Sequence, residues 1–238
     1  MSIHILSDSD SVVKSVKRSD VKPEQISVSI SDGNKKYIGN DETGFIIWSI
    51  TEMVTCPFAT KLCTESCYAR KASKAYPTVK VSRRENLRAV YSPLFVDKMV
   101  ELILYKANVG KNKTRKQIIV RIHEAGDFFA EWYADAWLEI ARRVSEQDNR
   151  IVFWAYTKSF VFFLGKKWCD AFRLRGSVWA DTTQEQLDRI AELHIPIYTA
   201  VEKFRDGDGF NHCECKDCAT CETPCGDVTN GNTACEIH

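Results

Sequence analysis

The chain has 238 residues, of which 44% are hydrophobic and 27% charged, and its formal net charge at pH 7 is +1. This composition excludes a largely disordered chain, and no apolar run reaches the roughly 20 residues that a membrane-spanning helix needs. The sequence begins without the apolar core of a secretory signal, so we expect a cytoplasmic protein that has no membrane partner.

The polar N-terminal segment, residues 1–40, predicts an arm or an edge strand, with one short strand at Ile26–Ile30. The first buried strand of an α/β core, which we place at residues 41–205, is predicted at the apolar run Gly44–Ile50. This strand leads directly into a loop that contains three cysteines.

The three cysteines of this loop are spaced C-x6-C-x3-C at Cys56, Cys63 and Cys67. Three thiolates on one loop supply three ligands to an iron or zinc site and leave its fourth position open. That position takes a substrate or a small ligand in one interpretation, and a cysteine from the C-terminal tail in the other. Both interpretations fit the spacing.

Strands and helices alternate after this loop. Helices are predicted at Ser82–Tyr91, from Ser92 and Pro93 onward, and at Glu131–Val144, Ser159–Leu174 and Thr183–His194. Further strands are predicted at Gln117–Ile122, Ile151–Tyr156, Ser177–Ala180 and Pro196–Ala200. Five apolar strands are too few for a closed eight-stranded barrel, so the predicted α/β fold is a partial (β/α) barrel or an open parallel sheet.

Polar residues follow the carboxyl ends of the predicted strands, where function gathers in parallel α/β sheets. The candidate catalytic residues at these ends are Arg121, His123, Asp127, Lys158 and Asp181. Arg121 and His123 lie two residues apart and are predicted to face the same side of the sheet. Asp127 and Asp181 also precede predicted helices, so helix capping is the alternative for both carboxylates.

The C-terminal tail, residues 206–238, contains seven acidic residues and one basic residue, whereas the rest of the chain carries a net charge of +7. The tail also contains six of the ten cysteines and almost nothing apolar to bury. Such a segment needs a metal to order it, so we predict a cysteine-rich, metal-stapled tail. The remaining cysteine, Cys169, lies in a predicted helix and is expected to be a small buried hydrophobe.

The tail cysteines include a run that matches the ferredoxin motif for a 4Fe–4S cluster, C-x2-C-x2-C-x3-C at Cys215, Cys218, Cys221 and Cys225. Pro224 precedes the last cysteine instead of following it, so Cys225 can serve a different cluster. Three further residues are close enough in sequence to substitute as ligands, namely Cys213, Cys235 and His238. We therefore predict one or two 4Fe–4S clusters, with zinc as the alternative because C-x2-C pairs also bind zinc.

Two basic stretches, residues 61–84 and 106–121, contain almost no acidic residue. We expect no exposed aromatic residues between their charges, and the tail is acidic, so a solvated surface is favoured over a nucleic-acid interface. Binding of a phosphate-bearing ligand or of an anionic cluster is a third interpretation.

Three motifs point to a known family. They are Thr-Cys-Pro-x-Ala-Thr-x-x-Cys with Cys-Tyr-Ala at 55–69, Arg-x-His-x-x-Gly-Asp-Phe at 121–128 and Phe-Trp-Ala-Tyr-Thr-Lys at 153–158. Together with the Cys/His tail they resemble the phage-encoded, cysteine-rich gene product 88 family over about three quarters of the chain. The resemblance implies a viral protein of an infected host cell and carries over little chemistry.

A looser similarity is to the radical S-adenosylmethionine enzymes, which place three cysteines after the first strand of a partial barrel and often add a tail with auxiliary clusters. That superfamily uses C-x3-C-x2-C with an aromatic residue before the last cysteine. Here the spacing is x6 and x3, and Tyr68 follows the last cysteine. The similarity implies S-adenosylmethionine as a cofactor, with Tyr68 and Arg70 beside it.

These observations favour a redox or radical-type enzyme with a 4Fe–4S cluster at the mouth of an α/β cleft, acting on a small-molecule substrate. Two alternatives stay open. One is a ferredoxin-like electron-transfer protein whose acidic tail docks a redox partner, and the other is a zinc-stapled binding module for nucleic acid.

Overall fold

The apolar run after Gly44 forms the first strand of a seven-stranded parallel sheet. The structure, a computed structural model, describes residues 27–34, 37–205, 207–213 and 231–236. Its strands are β1 Thr43–Trp48, β2 Gln117–Ile122, β3 Ile151–Thr157, β4 Phe172–Val178, β5 Ile197–Val201, β6 Asn211–His212 and β7 Thr233–Glu236. They pair in the order β1-β2-β3-β4-β5-β7-β6 and curl into a half barrel, which confirms the predicted α/β class and the partial barrel.

The helices are α1 Lys61–Glu65, α2 Tyr68–Ala75, α3 Pro77–Val90, α4 Phe95–Ala107, α5 Glu131–Gln147 and α6 Gln184–Leu193. The predicted helices in the regions of α3, α4, α5 and α6 are confirmed, and the capping box at Thr183 and Gln186 is present. Helices α1 and α2 lie in the segment that the sequence predicts as a loop. Each is short, and α2 is framed by Cys67 at its N-cap and Tyr76 at its C-cap.

The outer face of the sheet carries the main hydrophobic core. Alternate residues of the strands point to this face and pack against α4 and α5. Three large aromatic side chains meet there: the Trp48 ring lies 5.7 Å from Phe95 and 5.9 Å from Trp137. The Trp48 indole also donates a hydrogen bond to the Tyr133 hydroxyl, at 3.0 Å. Burying each such side chain stabilises the fold by about 2–3 kcal/mol.

The inner face of the sheet changes character along the strands. Near the amino ends it holds a small apolar cluster of Tyr37, Phe45, Ile47, Ile119, Val152 and Trp154. Arg121 lies on the same face, level with Ile47 and Trp154 of this cluster. The strand alternation and register place further polar side chains beyond it, towards the carboxyl ends: Tyr156, Arg175, Ser177 and Tyr198. The open side of the half barrel is therefore polar where the strands end.

The predicted helix Ser159–Leu174 is wrong. The structure has a short 3₁₀ helix at Phe160–Phe162 and then strand β4. Phe172 and Leu174 are buried in the outer core while the arginines between and after them face inward, which is the two-residue period of a strand. The aromatic residues of this segment are spaced so that they also fit the period of a buried helix. The predicted strand Ser177–Ala180 overlaps only the end of β4. Cys169 precedes β4 and packs partly buried against the outer core.

Part of the C-terminal tail lies in the sheet. Strand β7 is inserted between β5 and β6, with Tyr198 in register with Thr233, and Ala234 is fully buried. The composition of the tail predicts almost nothing to bury, and β6 and β7 are not predicted from the sequence. The predicted ligands Cys215, Cys218, Cys221, Cys225 and His238 lie outside the described residues.

The described part of the N-terminal segment covers the edge of β1. Ser31 forms an antiparallel bridge with Ile47, and Ser29 exchanges two hydrogen bonds of 2.8 Å with the Asn86 side chain. The segment therefore lies at the edge of the sheet, as one of the two predicted alternatives has it. It covers backbone donors and acceptors that an uncovered edge strand would expose. Of the predicted strand, Ile26 lies outside the described residues, and the other four form no strand.

A buried ion pair joins α3 to the segment after β1. Arg83 Nη1 lies 3.2 Å from Glu52 Oε2, and the two side chains are only 6% and 10% exposed. The same nitrogen donates to the Ala69 carbonyl and to the Ser73 hydroxyl, each at 2.9 Å. One guanidinium thus holds α2 and the chain before it against α3.

We expect Arg83→Met to lower the free energy of unfolding by about 3 kcal/mol, since it leaves the buried Glu52 carboxylate without its cation. The matched control is Arg88→Met on the same helix, whose ion pair with Glu85 is exposed and should contribute at most about 1 kcal/mol. Urea unfolding measures both, and equal losses in the two variants would contradict the anchoring role of Arg83.

Candidate functional site

The three cysteines after β1 lie together at the carboxyl edge of the sheet. The Cys56 thiol is close enough to Cys63, Cys67 and Asp127 for each to influence its pKa. All three thiols are free and partly buried. Burial is the main effect, and it raises the pKa of Cys56 to about 12 and the pKa of Cys63 above its usual value. Without a bound cation the thiols of Cys56 and Cys63 are neutral at pH 7.

The backbone that carries the cysteines is held onto the end of β2. Ile50 N donates to the Ala125 carbonyl at 3.1 Å, so the segments that follow β1 and β2 stay paired. Gly126, the residue after Ala125, packs closely against this segment. Its φ is +86°, and a Cβ there would lie 2.5 Å from Ile50 Cγ1 and 2.7 Å from Thr55 Oγ1. Only glycine fits this close approach. Thr60 caps α1 by accepting a hydrogen bond from Cys63 N.

Asp127 joins the ends of β2 and β3. Its carboxylate accepts hydrogen bonds from the Thr157 hydroxyl at 2.6 Å, from Lys158 N at 2.9 Å and from Phe128 N at 2.7 Å. Burial raises the pKa of Asp127, and these hydrogen bonds oppose the rise. The N-cap of α5 is Ala130, so the capping alternative for Asp127 is wrong. Its carboxylate instead fixes the backbone of Lys158.

Lys158 lies between the cysteines and the inner face of the sheet. Its ammonium donates to Ser177 Oγ at 2.7 Å and lies 5.8 Å from the centre of the Trp179 ring. It is also close enough to the Cys63 thiol to lower the pKa of Cys63, although burial outweighs it. A buried cation beside a thiol favours the negatively charged form of the sulfur.

Asp181 anchors α1 from across the sheet. Its Oδ2 accepts a hydrogen bond from Leu62 N at 2.8 Å, and Gln186 Nε2 donates to the Phe58 carbonyl at 3.5 Å. Burial acts to raise the pKa of Asp181, but hydrogen bonds led by the one from Leu62 outweigh it and the pKa is lowered. The N-cap of α6 is Thr183, so the capping alternative is wrong for Asp181 as well. Asp181 positions the segment that carries Cys63.

The prediction that Arg121 and His123 face the same side is wrong. The backbone of His123 is left-handed, with φ +59°, which breaks the strand alternation. The His123 ring therefore enters the outer core, 4.6 Å from the Phe128 ring, and its Nε2 lies 2.8 Å from the Tyr133 hydroxyl. Arg121 stays on the inner face, 4.1 Å from the centre of the Tyr156 ring. His123 is thus a core residue and does not line the cleft.

The two predicted cofactor-binding residues differ in position. Tyr68 directly follows Cys67, and its hydroxyl donates to the Glu124 carbonyl at the end of β2, although the residue as a whole is 58% exposed. Arg70 lies on the exposed side of α2. Tyr68 and Tyr76 are exposed aromatics within the basic stretch 61–84, so the expectation that this stretch lacks them is wrong.

Two tail cysteines, Cys213 and Cys235, lie far from the three-cysteine segment along the sheet. Cys213 N donates to the Ala234 carbonyl at 2.7 Å, and Cys235 is in register with Ala200 on β5. Cys235 lies on β7 and Cys213 directly follows the neighbouring strand β6, while the three-cysteine segment follows β1 at the opposite end of the strand order. Within the described residues, which include Cys56, Cys63 and Cys67, no three His, Cys, Asp or Glu side chains are grouped closely enough to hold a single metal ion.

Several inner-face residues of the site are not among the predicted site residues, including Tyr156, Arg175, Ser177 and Trp179. The signal that could have found most of them is the alternation of β4, Phe-Arg-Leu-Arg-Gly-Ser-Val, which predicts inward-facing arginines and serine once the segment is treated as a strand. Tyr156 follows from the same alternation in β3.

The described residues define a parallel α/β half barrel whose carboxyl edge is lined by thiols and buried cations. Residues 27–228 match the model of the family described as Gene product 88, and the chain belongs to this family. None of the helices that the structure describes has the length and apolar character needed to cross a membrane.

Two curated relatives are Gene 88 proteins of mycobacteriophages. That of Mycobacterium phage D29 is 32% identical over 106 residues, which is 44% of this chain and 42% of the relative. That of Mycobacterium phage L5 is also 32% identical over 106 residues, covering 44% of this chain and 43% of the relative. The match therefore spans less than half the length of either relative. No solved structure matches the chain.

The buried His123 makes stability depend on pH. Burial, with a smaller effect of Arg121, holds the pKa of His123 well below its usual value, so the unfolded chain binds a proton that the folded chain does not. The stability of the wild type should then fall as pH drops below about 6.5, by up to about 1.4 kcal/mol per pH unit.

His123→Asn is the matched variant, because asparagine tolerates the left-handed backbone and does not titrate. We expect it to be less stable than the wild type at neutral pH and to lose this part of the pH dependence. Urea unfolding between about pH 7.5 and pH 5 measures both proteins. Parallel curves for the two would contradict a neutral, buried His123.

Proposed function

We propose that the chain is an iron–sulfur protein of the redox or radical-type enzyme class, with Cys56, Cys63 and Cys67 as ligands of a 4Fe–4S cluster at the carboxyl edge of the half barrel. The observation that carries the proposal is that these three free thiols lie near one another at the edge where the open side of the sheet is lined by Arg121 and Lys158. Its substrate is a small molecule bound on that open side.

The chemistry of the three thiols supports a metal-bound role. A Cys56 thiol with its pKa raised to about 12 is a poor nucleophile at pH 7, so a covalent role for a free thiolate is disfavoured. A metal centre replaces the thiol protons and makes the burial favourable. When bound, an iron–sulfur cluster supplies one-electron transfer, and the protein supplies its position and electrostatic surroundings.

Iron–sulfur and zinc place different demands on this segment. Thiolates that share one zinc ion at about 2.3 Å lie about 3.8 Å from one another. In a cubane each thiolate binds a different iron, so the sulfurs lie farther apart. Three cysteines that are spread over twelve residues and two short helices, and are not grouped closely enough for a single metal ion, suit the larger group.

The surrounding residues have assigned roles in this proposal. Asp127 fixes the backbone of Lys158, and Asp181 fixes the helix that carries Cys63. Lys158 offsets the negative charge of the sulfur ligands and faces the substrate, together with Arg121. Three protein thiolates leave one iron of a cubane open to a substrate or to S-adenosylmethionine, which is the feature that separates an enzyme from an electron carrier.

The tail is proposed to hold a second cluster or to complete the first. Cys213 directly follows β6 and Cys235 lies on the neighbouring strand β7, which is consistent with a shared site. The other proposed ligands are Cys215, Cys218, Cys221, Cys225 and His238. The matched relatives are phage proteins, so we propose that the protein acts in a phage-infected cell.

Metal analysis tests the cluster. After anaerobic purification of the full chain, we expect iron and sulfide in equal amounts, and the variant Cys56→Ser/Cys63→Ser/Cys67→Ser should lose about four of each per chain. Cys169→Ser is the matched control, since this cysteine is partly buried beside Ser145 and lies outside the site. It should keep the full content.

A colourless protein with stoichiometric zinc would contradict the iron–sulfur proposal and favour the zinc-stapled binding module. A triple variant with the iron content of the wild type would contradict the assignment of the three ligands.

A second experiment separates the enzyme from the ferredoxin-like carrier. Addition of S-adenosylmethionine, or of cyanide, to the reduced protein should change the electron paramagnetic resonance spectrum if one iron is open to a small ligand. The spectral change should be absent in the triple cysteine variant. An unchanged spectrum of the wild type would contradict the open site and leave the carrier as the better description.

A further inference from the structure

The inner face of the half barrel contains a buried cation, Arg121, that forms no ion pair with a carboxylate of the described residues. Arg121 is 8% exposed, and its Nη1 donates to the Ile122 carbonyl at 2.6 Å. Among the described residues its Nε has no hydrogen-bond partner. Its charge lies among tyrosines: the ring of Tyr156 stacks with its centre at 4.1 Å, the Tyr37 hydroxyl is hydrogen-bonded to the guanidinium, and the Tyr68 hydroxyl lies nearby.

A second unsatisfied donor lies next to Arg121 on the same face. Trp154 on β3 is in register with Arg121 on β2, so the two side chains are neighbours across the sheet. Trp154 is 2% exposed, and within the described residues its indole Nε1 also has no partner. Both atoms can only donate hydrogen bonds, so the group that satisfies them is an acceptor.

Two other cations of the inner face donate hydrogen bonds to neutral groups. Arg175, which is almost fully buried, donates to the Ile197 and Gly231 carbonyls at 3.2 and 2.5 Å, and Lys158 donates to the Ser177 hydroxyl. None of these hydrogen bonds supplies a negative charge. Burial of a guanidinium costs a large desolvation free energy, and stacking on Tyr156 offsets only part of it.

We propose that the inner face between β2 and β3 binds the oxyanion group, phosphate or carboxylate, of the substrate through Arg121 and Trp154. The guanidinium fork matches the two oxygens of either group, and the indole N–H donates to one of them. The inference rests on the proposed function, because it names the substrate class for the same half barrel. Anion binding itself needs no cluster.

Titration calorimetry on the full-length protein tests the site, with inorganic phosphate and succinate as separate probes at constant ionic strength. The wild type should bind at least one of them, and the two arms tell phosphate from carboxylate as the preferred group. Arg121→Gln should weaken binding at least tenfold. Arg121→Lys keeps the positive charge but loses the two-pronged guanidinium geometry. Its affinity for the anion should therefore lie between those of the wild type and Arg121→Gln.

Two further variants keep the test decisive if Arg121→Gln does not fold. Trp154→Phe keeps the ring and removes the indole donor, and should weaken binding severalfold. Arg142→Gln is the matched control, because Arg142 is an exposed residue of α5 that pairs with Glu139 and Glu146, and it should bind as the wild type does.

The proposal would be overturned if neither probe bound the wild type, or if Trp154→Phe and both Arg121 variants bound as tightly as the wild type. The triple cysteine variant separates this inference from the cluster. Unchanged anion binding there, whatever the iron content, supports the anion site independently of the metal. Loss of binding there together with normal binding by the Arg121 variants would also overturn it.

Discussion

The parallel pairing of β1, β2 and β3 is the constraint on which the candidate site depends. These strands are hydrogen-bonded in register up to Trp48, Ile122 and Ala155, so the chain leaves all three at the same edge. Hydrogen bonds between the segments that follow continue the pairing beyond the sheet, as in Ile50 N to the Ala125 carbonyl. The cysteine segment after β1 is thereby held beside the polar residues that follow β2 and β3.

The two faces of the sheet divide stability and chemistry between them. The outer face, with Trp48 and Trp137 at its centre, supplies most of the apolar burial. The inner face buries Arg121 and Arg175, which costs free energy in the absence of a ligand. Proteins keep such unfavourable groups where function requires them and offset the cost elsewhere in the fold. The left-handed backbone of His123 turns its ring away from the polar inner face and into the outer core.

The fold was predictable wherever apolar periodicity is clear. Strand β2 and the capping box of α6 follow directly from the pattern, and the three-cysteine segment was found from its spacing alone. Strand β4 was not predictable in this way, because Phe172 belongs to an aromatic-rich stretch that also fits a helical period. Arg121 and His123 face opposite sides of the sheet because His123 has a positive φ, and the hydrophobic periodicity of the sequence gives no sign of it. The sheet position of β7 arises from long-range pairing that local pattern does not encode.

The central claim is that the three thiols at the carboxyl edge share an iron–sulfur cluster. X-ray absorption at the iron edge of the anaerobically purified full-length protein tests it most directly. We expect each iron to be surrounded by sulfur at short range and by other irons at the next distance, with the iron–iron scattering reduced in the triple cysteine variant. A spectrum without iron neighbours, or a protein whose metal is zinc with sulfur and nitrogen ligands only, would contradict the claim.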